Sequence, residues 1–166
     1  TRKPLIGLLQ GFHGIDELIE RSPHSIQSGG CDFYVPLMSL PGILGTTLET
    51  IPADVPYIQA DINKVAYWHD RIRGKGLKVG LVWAGRNDHR NDRNRSCLLE
   101  RFSPLTAIPD VQLYGLQKGE AAFQAEGPGL KIVNFGHEFE DFTDTAGAIE
   151  NLDLVISVDT AVAHLT

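Results

Sequence analysis

From Leu77 onward, short apolar runs alternate with stretches of helical period at close spacing, and few folds accept that pattern. The runs fall at residues 78–84, 111–116, 130–135 and 152–158, with helical candidates at 102–108, 120–125 and 142–151 between them. Near-continuous apolar strands separated by short helices predict βαβ units and a parallel sheet covered on both faces. The last run, Leu152-Asp153-Leu154-Val155-Ile156-Ser157-Val158, leads directly into Asp159-Thr160. A strand passing into a helix there would place a helix N-terminus at the carboxyl edge of the sheet, where open α/β sheets bind ligands.

The first part of the chain is less regular. Residues 3–12 carry Leu5, Ile6, Leu8 and Leu9 on a possible helical face ended by Gly11 and Gly14. Residues 15–19 and 31–35 are short enough and apolar enough for strands. Pro36, Pro41, Pro52 and Pro56, with Gly42 and Gly45, exclude a long helix or a central strand between them and predict a connecting segment. Asp61 is placed to cap a helix reaching about Arg73, ended by Lys75-Gly76. A domain boundary is expected at residues 73–77, dividing the chain into 1–73 and 77–166. The chain begins without Met in helical texture and ends where a helix after Thr160 should start. The expectation is therefore a piece of a larger protein, holding half of a binding site.

With 15 Lys and Arg against 21 Asp and Glu, the net charge is −6, which gives no support to nucleic-acid binding. Against that background residues 86–96, RNDHRNDRNRS, place four arginines and two aspartates in eleven positions. Arginine forks suit phosphate oxygens, and Gly85 lets a ligand approach the backbone. The alternative is a solvated loop in which Asp88 and Asp92 neutralise two of the arginines. Asp159 and Thr160 have a similar pair of readings, as helix caps or as ligand contacts. Glu120, after the 111–116 run, could meet ribose hydroxyls or simply begin a helix. The chain has no G-x-G-x-x-G and no P-loop, so hydride transfer and ATP hydrolysis lose support. Its histidines show no metal-ligand spacing, and no nucleophile elbow is evident. Cys31 and Cys97 read as reduced thiols of a cytoplasmic protein. No apolar run approaches the roughly 20 residues that span a bilayer.

Three stretches, "CDFYVPLMSLPGILGTTLETIP", "VGLVWAGRNDHRNDRNRS" and "DFTDTAGAIENLDLVISVDTAVAHLT", resemble the heptosyltransferase-like glycosyltransferases. The resemblance is nearest to the branch fused behind tetratricopeptide repeats. It implies a partial GT-B architecture, in which two Rossmann-like domains face a cleft and the C-terminal one holds a nucleotide-diphosphate sugar. Residues 1–73 would then close the acceptor-side domain, and 77–166 would open the donor-binding domain. The family's D-T/S-G-x-x-H motif, which touches the donor diphosphate, falls on Asp159, Thr160, Ala161 and His164, with Ala161 where many members have glycine. Gly85 begins the corresponding first loop. Arg95 and Ser96 occupy the family's phosphate-side basic and hydroxyl positions in it, and Glu120 lies near a ribose-binding acid.

No cofactor and no metal are expected, and the resemblance implies a catalytic carboxylate supplied from before Thr1, so no catalytic residue is assigned. The expected activity is sugar transfer to a carbohydrate or lipid-linked acceptor, with the 166 residues inactive alone. Peripheral membrane contact of the larger protein and repeats in the same chain are further implications. A degenerate GT-B domain acting as a binding or scaffold module is the competing reading.

Overall fold

The computed structural model describes residues 1–21, 32–127 and 129–166. The helices are α1 (Ile6–Leu9), α2 (Leu40–Ile43), α3 (Ile62–His69), α4 (Asp92–Arg95) and α5 (Phe142–Ile149); the strands are β1 (Leu77–Val82), β2 (Val111–Gly115), β3 (Val133–Asn134) and β4 (Leu154–Ser157). Four strands form one parallel sheet in the order β3-β2-β1-β4. This is the α/β parallel sheet with flanking helices that the alternation predicts. The chain steps outward from β1 through β2 to β3, then returns to the other side of β1 for β4. That reversal creates a topological switch point between β1 and β4.

Strand alternation divides the core into two layers. Val82, Tyr114 and Leu116 face α3 and α5, where they meet Trp68, Ile72, Phe135, Phe139 and Ala148. Val79, Leu81, Trp83 and Leu113 face the other way, onto Leu99 and the half-buried Phe102, Leu105 and Ala121. Successive strand side chains point to opposite faces, so a sheet covered on both sides needs apolar residues at nearly every position. The flanking elements on the second face, Leu99–Ala107 and Glu120–Glu126, wind as 3₁₀ helices, the first with Pro104 inside it.

Helices α3 and α5 lock together through matched polar and steric detail. Asp61 caps α3, its carboxylate accepting from the amides of Asn63 at 2.8 Å and Lys64 at 3.2 Å. Asp141 caps α5 from the Thr143 amide at 2.7 Å. Gly147 lets the helices touch, since a Cβ there would lie 2.8 Å from the Lys64 carbonyl carbon. Asn151 donates to the Val65 carbonyl at 2.9 Å and the Gly147 carbonyl at 2.8 Å. Both of its N–H groups being used, its Oδ1 is left to accept, and the His69 Nδ1 at 3.1 Å is the donor.

Asp144 is buried beneath this contact. It accepts from Lys64 Nζ at 2.8 Å, the Trp68 indole at 3.2 Å and the Glu140 amide at 3.0 Å. Burial alone would raise its pKa, but those hydrogen bonds and the Lys64 charge prevail and hold the carboxyl below the ordinary aspartate value. Trp68, wholly enclosed, also meets Phe139 edge-to-face with ring centres 4.9 Å apart. The expected boundary at 73–77 therefore falls between β1 and a helix that supplies part of its core.

Several elements differ from the sequence reading. Residues 15–19 form no strand; the Ile19 carbonyl meets the Thr1 amino group instead of a ladder partner. Residues 32–35 form none either, and Phe33 and Tyr34 stand in solvent; Cys31 lies outside the described residues. The third run pairs only through Val133 and Asn134, because Leu130 and Ile132 turn into the second core layer. Helix α3 ends at His69, although Ile72 N still reaches the Trp68 carbonyl at 2.8 Å. The proline-rich stretch contains only single turns, as its composition requires.

Two measurements test the helix contact. Gly147→Val should cost about 1–3 kcal/mol in urea unfolding, because the backbone of α3 must retreat. Asp144 contributes stability that is fully present above the unfolded aspartate pKa of about 3.9 and is lost as pH falls through its lower folded value. Asp144→Asn should accordingly flatten the acid side of the stability profile below about pH 4. An unchanged acid limb would remove Asp144 from this role.

Candidate functional site at the switch point

The site begins where β1 runs out. Trp83, Ala84 and Gly85 leave the sheet with three amides to satisfy, and each finds a side chain. Gln117, itself buried, accepts from Trp83 N at 3.0 Å and Ala84 N at 2.8 Å, and its Nε2 donates to the Lys118 carbonyl at 2.9 Å. Gly85 N donates to Ser96 Oγ at 2.8 Å, and that hydroxyl donates to Asp92 Oδ1 at 2.6 Å. These bonds fix the loops after β1 and β2 against each other.

Arg95 lies across the exit of β1. Its guanidinium rests on Gly85, where an added Cβ would be 2.3 Å from Nη2. Nη1 donates to the Asp159 carbonyl at 3.0 Å, joining the loop after β1 to the end of β4. Asp92 Oδ1 stands 3.6 Å from Nε, an ion-pair distance that leaves this buried N–H without a hydrogen bond. Elsewhere in the loop Arg86 ion-pairs with Asp88, and its hydrogen bonds hold that carboxyl below the ordinary value. The two aspartates thus meet two of the four arginines, and the loop still reaches the sheet edge.

A cleft of about 670 Å³ opens at the switch point. Gly85, Arg86, His89 and Arg95 from the loop after β1 line it, together with Lys118 after β2, Phe142 and Thr145 of α5, and Thr160, Ala161 and Val162 after β4. Among the described residues that line it there is no aspartate or glutamate, in a chain carrying 21 of them. A second recess of about 690 Å³ shares Gly85, Arg86 and Lys118 and adds Ser96, Gly119 and Glu120. Glu120 there accepts from Asn87 Nδ2 at 3.2 Å. Lys118 Nζ hydrogen-bonds the carbonyls of Phe139 and Glu140.

The seven residues singled out in the sequence do not all converge. Gly85, Arg95 and Thr160 line the switch-point cleft; Ser96 and Glu120 line the adjoining recess. Asp159 contributes its carbonyl to Arg95, while the residue itself is exposed. His164 is exposed and lines a separate hollow with Pro56 and Tyr57. The terminal turn, Ala161–His164, is a 3₁₀ turn without a side-chain cap, and Thr160 Oγ1 lies 3.1 Å from Ser157 Oγ instead. Gln117 and Lys118 follow the β2 run directly, in the same Gln117-Lys118-Gly119-Glu120 stretch from which only Glu120 was singled out. The sequence had no signal for Arg2, which lines the same cleft. Among the described residues no group of three or more His, Cys, Asp or Glu side chains is placed to hold a metal. Among the described residues no helix is long and apolar enough to cross a membrane.

Gln117→Met keeps the side-chain length and orphans two amides, each costing about 1–3 kcal/mol. The urea midpoint should fall, and hydrogen exchange at Trp83 and Ala84 should accelerate; unchanged exchange at both would rule out the clasp. No protein-family model matches the chain, and the searches of curated proteins and of solved structures returned no match.

Proposed function

We propose that this chain carries the donor side of a glycosyltransferase, with a nucleotide-diphosphate sugar in the switch-point cleft. One observation carries the reading: a cleft at the carboxyl ends of β1 and β4 is lined by Arg86, Arg95, Lys118 and His89 and, among the described residues, by no acidic side chain, in a chain of net charge −6. Such a site favours an anion, and its position is the one from which parallel sheets bind nucleotides. The diphosphate would lie between Arg95 and the Thr160 turn, and the ribose towards Ser96 and Glu120 in the adjoining recess.

The chemistry that follows is transfer by positioning and charge stabilisation. As the acceptor hydroxyl oxygen bonds the anomeric carbon, the bond from that carbon to the diphosphate oxygen breaks. The electron pair leaves with the diphosphate, and cationic donors that favour this growing charge lower the barrier. The acceptor, carbohydrate or lipid-linked, and the base that takes its proton would be met by the acceptor-side domain. A GT-B protein of the cytoplasm with tetratricopeptide repeats, acting at a membrane surface, is the setting the sequence resemblance suggests.

Calorimetric titration with ADP, GDP and UDP, at low salt and without divalent metal, tests the reading. One nucleotide should bind, and Arg95→Ala should weaken it by about 10- to 100-fold, the value of a charged hydrogen-bonded contact. Binding of none of the three would overturn the proposal. Nucleotide binding without sugar transfer by the longer protein would favour a binding or scaffold module.

A further inference from the structure

One cation in the cleft comes from outside the parallel sheet. Arg2, with Pro4 and Leu5, lines the cavity together with Phe142 and Thr145. The N-terminal stretch is seated on the start of α5 like a strap. Its Thr1 amino group donates to the Ile19 carbonyl at 2.5 Å, and Arg21 N donates to the Thr1 carbonyl at 2.6 Å. Leu5 N closes a turn on the Arg2 carbonyl at 3.0 Å. Gly7 makes the contact with α5, where a Cβ would fall 2.8 Å from Thr143 Cγ2. The backbone on both sides of Arg2 is therefore held, and the side chain is delivered to the cleft.

Several other donors in the cleft already have partners, although Arg95 Nε has no hydrogen bond. The amides of Trp83 and Ala84 are taken by Gln117, and that of Gly85 by Ser96. Arg86 is paired with Asp88, Arg95 gives Nη1 to Asp159, and Lys118 bonds two carbonyls. Among the described residues Arg2 has no ion-pair partner. An anion with two charged groups needs donors on more than one side, and a guanidinium fork suits each phosphate.

We propose that Arg2 is a second anion-binding arginine, so that a diphosphate is gripped between the strap and the Arg95 loop. The inference rests on the anion-cleft reading above and adds a residue that the sheet does not supply. Two variants separate charge from placement. Arg2→Gln removes the fork at an exposed position, and Gly7→Val keeps Arg2 but forces the strap off α5.

The probe is inorganic pyrophosphate, titrated in a calorimeter at low salt, with orthophosphate as reference. Arg2→Gln should weaken pyrophosphate by about tenfold and orthophosphate by less, because the smaller ion need not reach both arginines. Gly7→Val should show the same selective loss. Pyrophosphate binding within twofold of wild type in Arg2→Gln, or no binding by the wild type, would overturn the inference. If Arg2→Gln leaves pyrophosphate unchanged while Arg95→Ala releases it, only the strap's role fails. If pyrophosphate binds through Arg2 but no nucleoside diphosphate displaces it, the inference stands and the sugar-donor reading falls.

Discussion

A strand buried on both faces cannot leave its backbone unmet where it ends, and much of the site follows from that obligation. Trp83, Ala84 and Gly85 pass from the buried strand to the half-buried edge of the cleft, and their amides find acceptors in the protein. Gln117 and Ser96 provide them, and each belongs to a different loop. Satisfying the end of one strand thereby fixes the geometry of two neighbouring loops. Arg95 extends the same arrangement to the end of β4, because the absence of a side chain at Gly85 lets its guanidinium lie flat. The crevice is built from backbone necessity before any ligand enters.

The helical layer determines what closes that crevice. Trp68 fills the space beneath α5, and Gly147 allows the two helices to approach closely enough for Asp144 to reach Lys64 and the indole together. Removing that carboxylate would leave the Lys64 ammonium, the Trp68 indole and the Glu140 amide without their shared acceptor, which ties the three together. The start of α5 is held in turn, and on it rest Phe142, Thr145 and the strap carrying Arg2. The elements around the cleft are thus supported from both faces of the sheet.

The arginine loop shows that self-pairing and anion binding are compatible. Asp88 meets Arg86 and Asp92 meets Arg95, as the solvated-loop reading anticipates. Yet the pairing with Asp92 is loose enough to leave Arg95 Nε without a hydrogen bond, and the guanidinium still lies at the sheet edge. Asp92 lines the adjoining recess, while the cleft itself is free of acidic lining among the described residues. Local placement, not net charge, sets the sign of the field there.

The parallel α/β class, the cap at Asp61 and the glycine exit of β1 were legible in the amino-acid sequence, because these depend on local periodicity and on short-range hydrogen bonding. The sequence also brought Gly85 and Thr160 forward, since each follows the end of an apolar run, whereas Arg95 came forward through the family resemblance of the arginine-rich loop. It could not determine the length of β3, because pairing there competes with burial of Leu130 and Ile132 in a layer formed by distant residues. Nor could it show that residues 15–19 lack a partner, or that His164 turns toward Tyr57. Only the tertiary structure placed β4 beside β1, joined α3 to the sheet's core and carried Arg2 to the cleft. Those placements come from packing between residues far apart in the chain, and no local pattern encodes such distances.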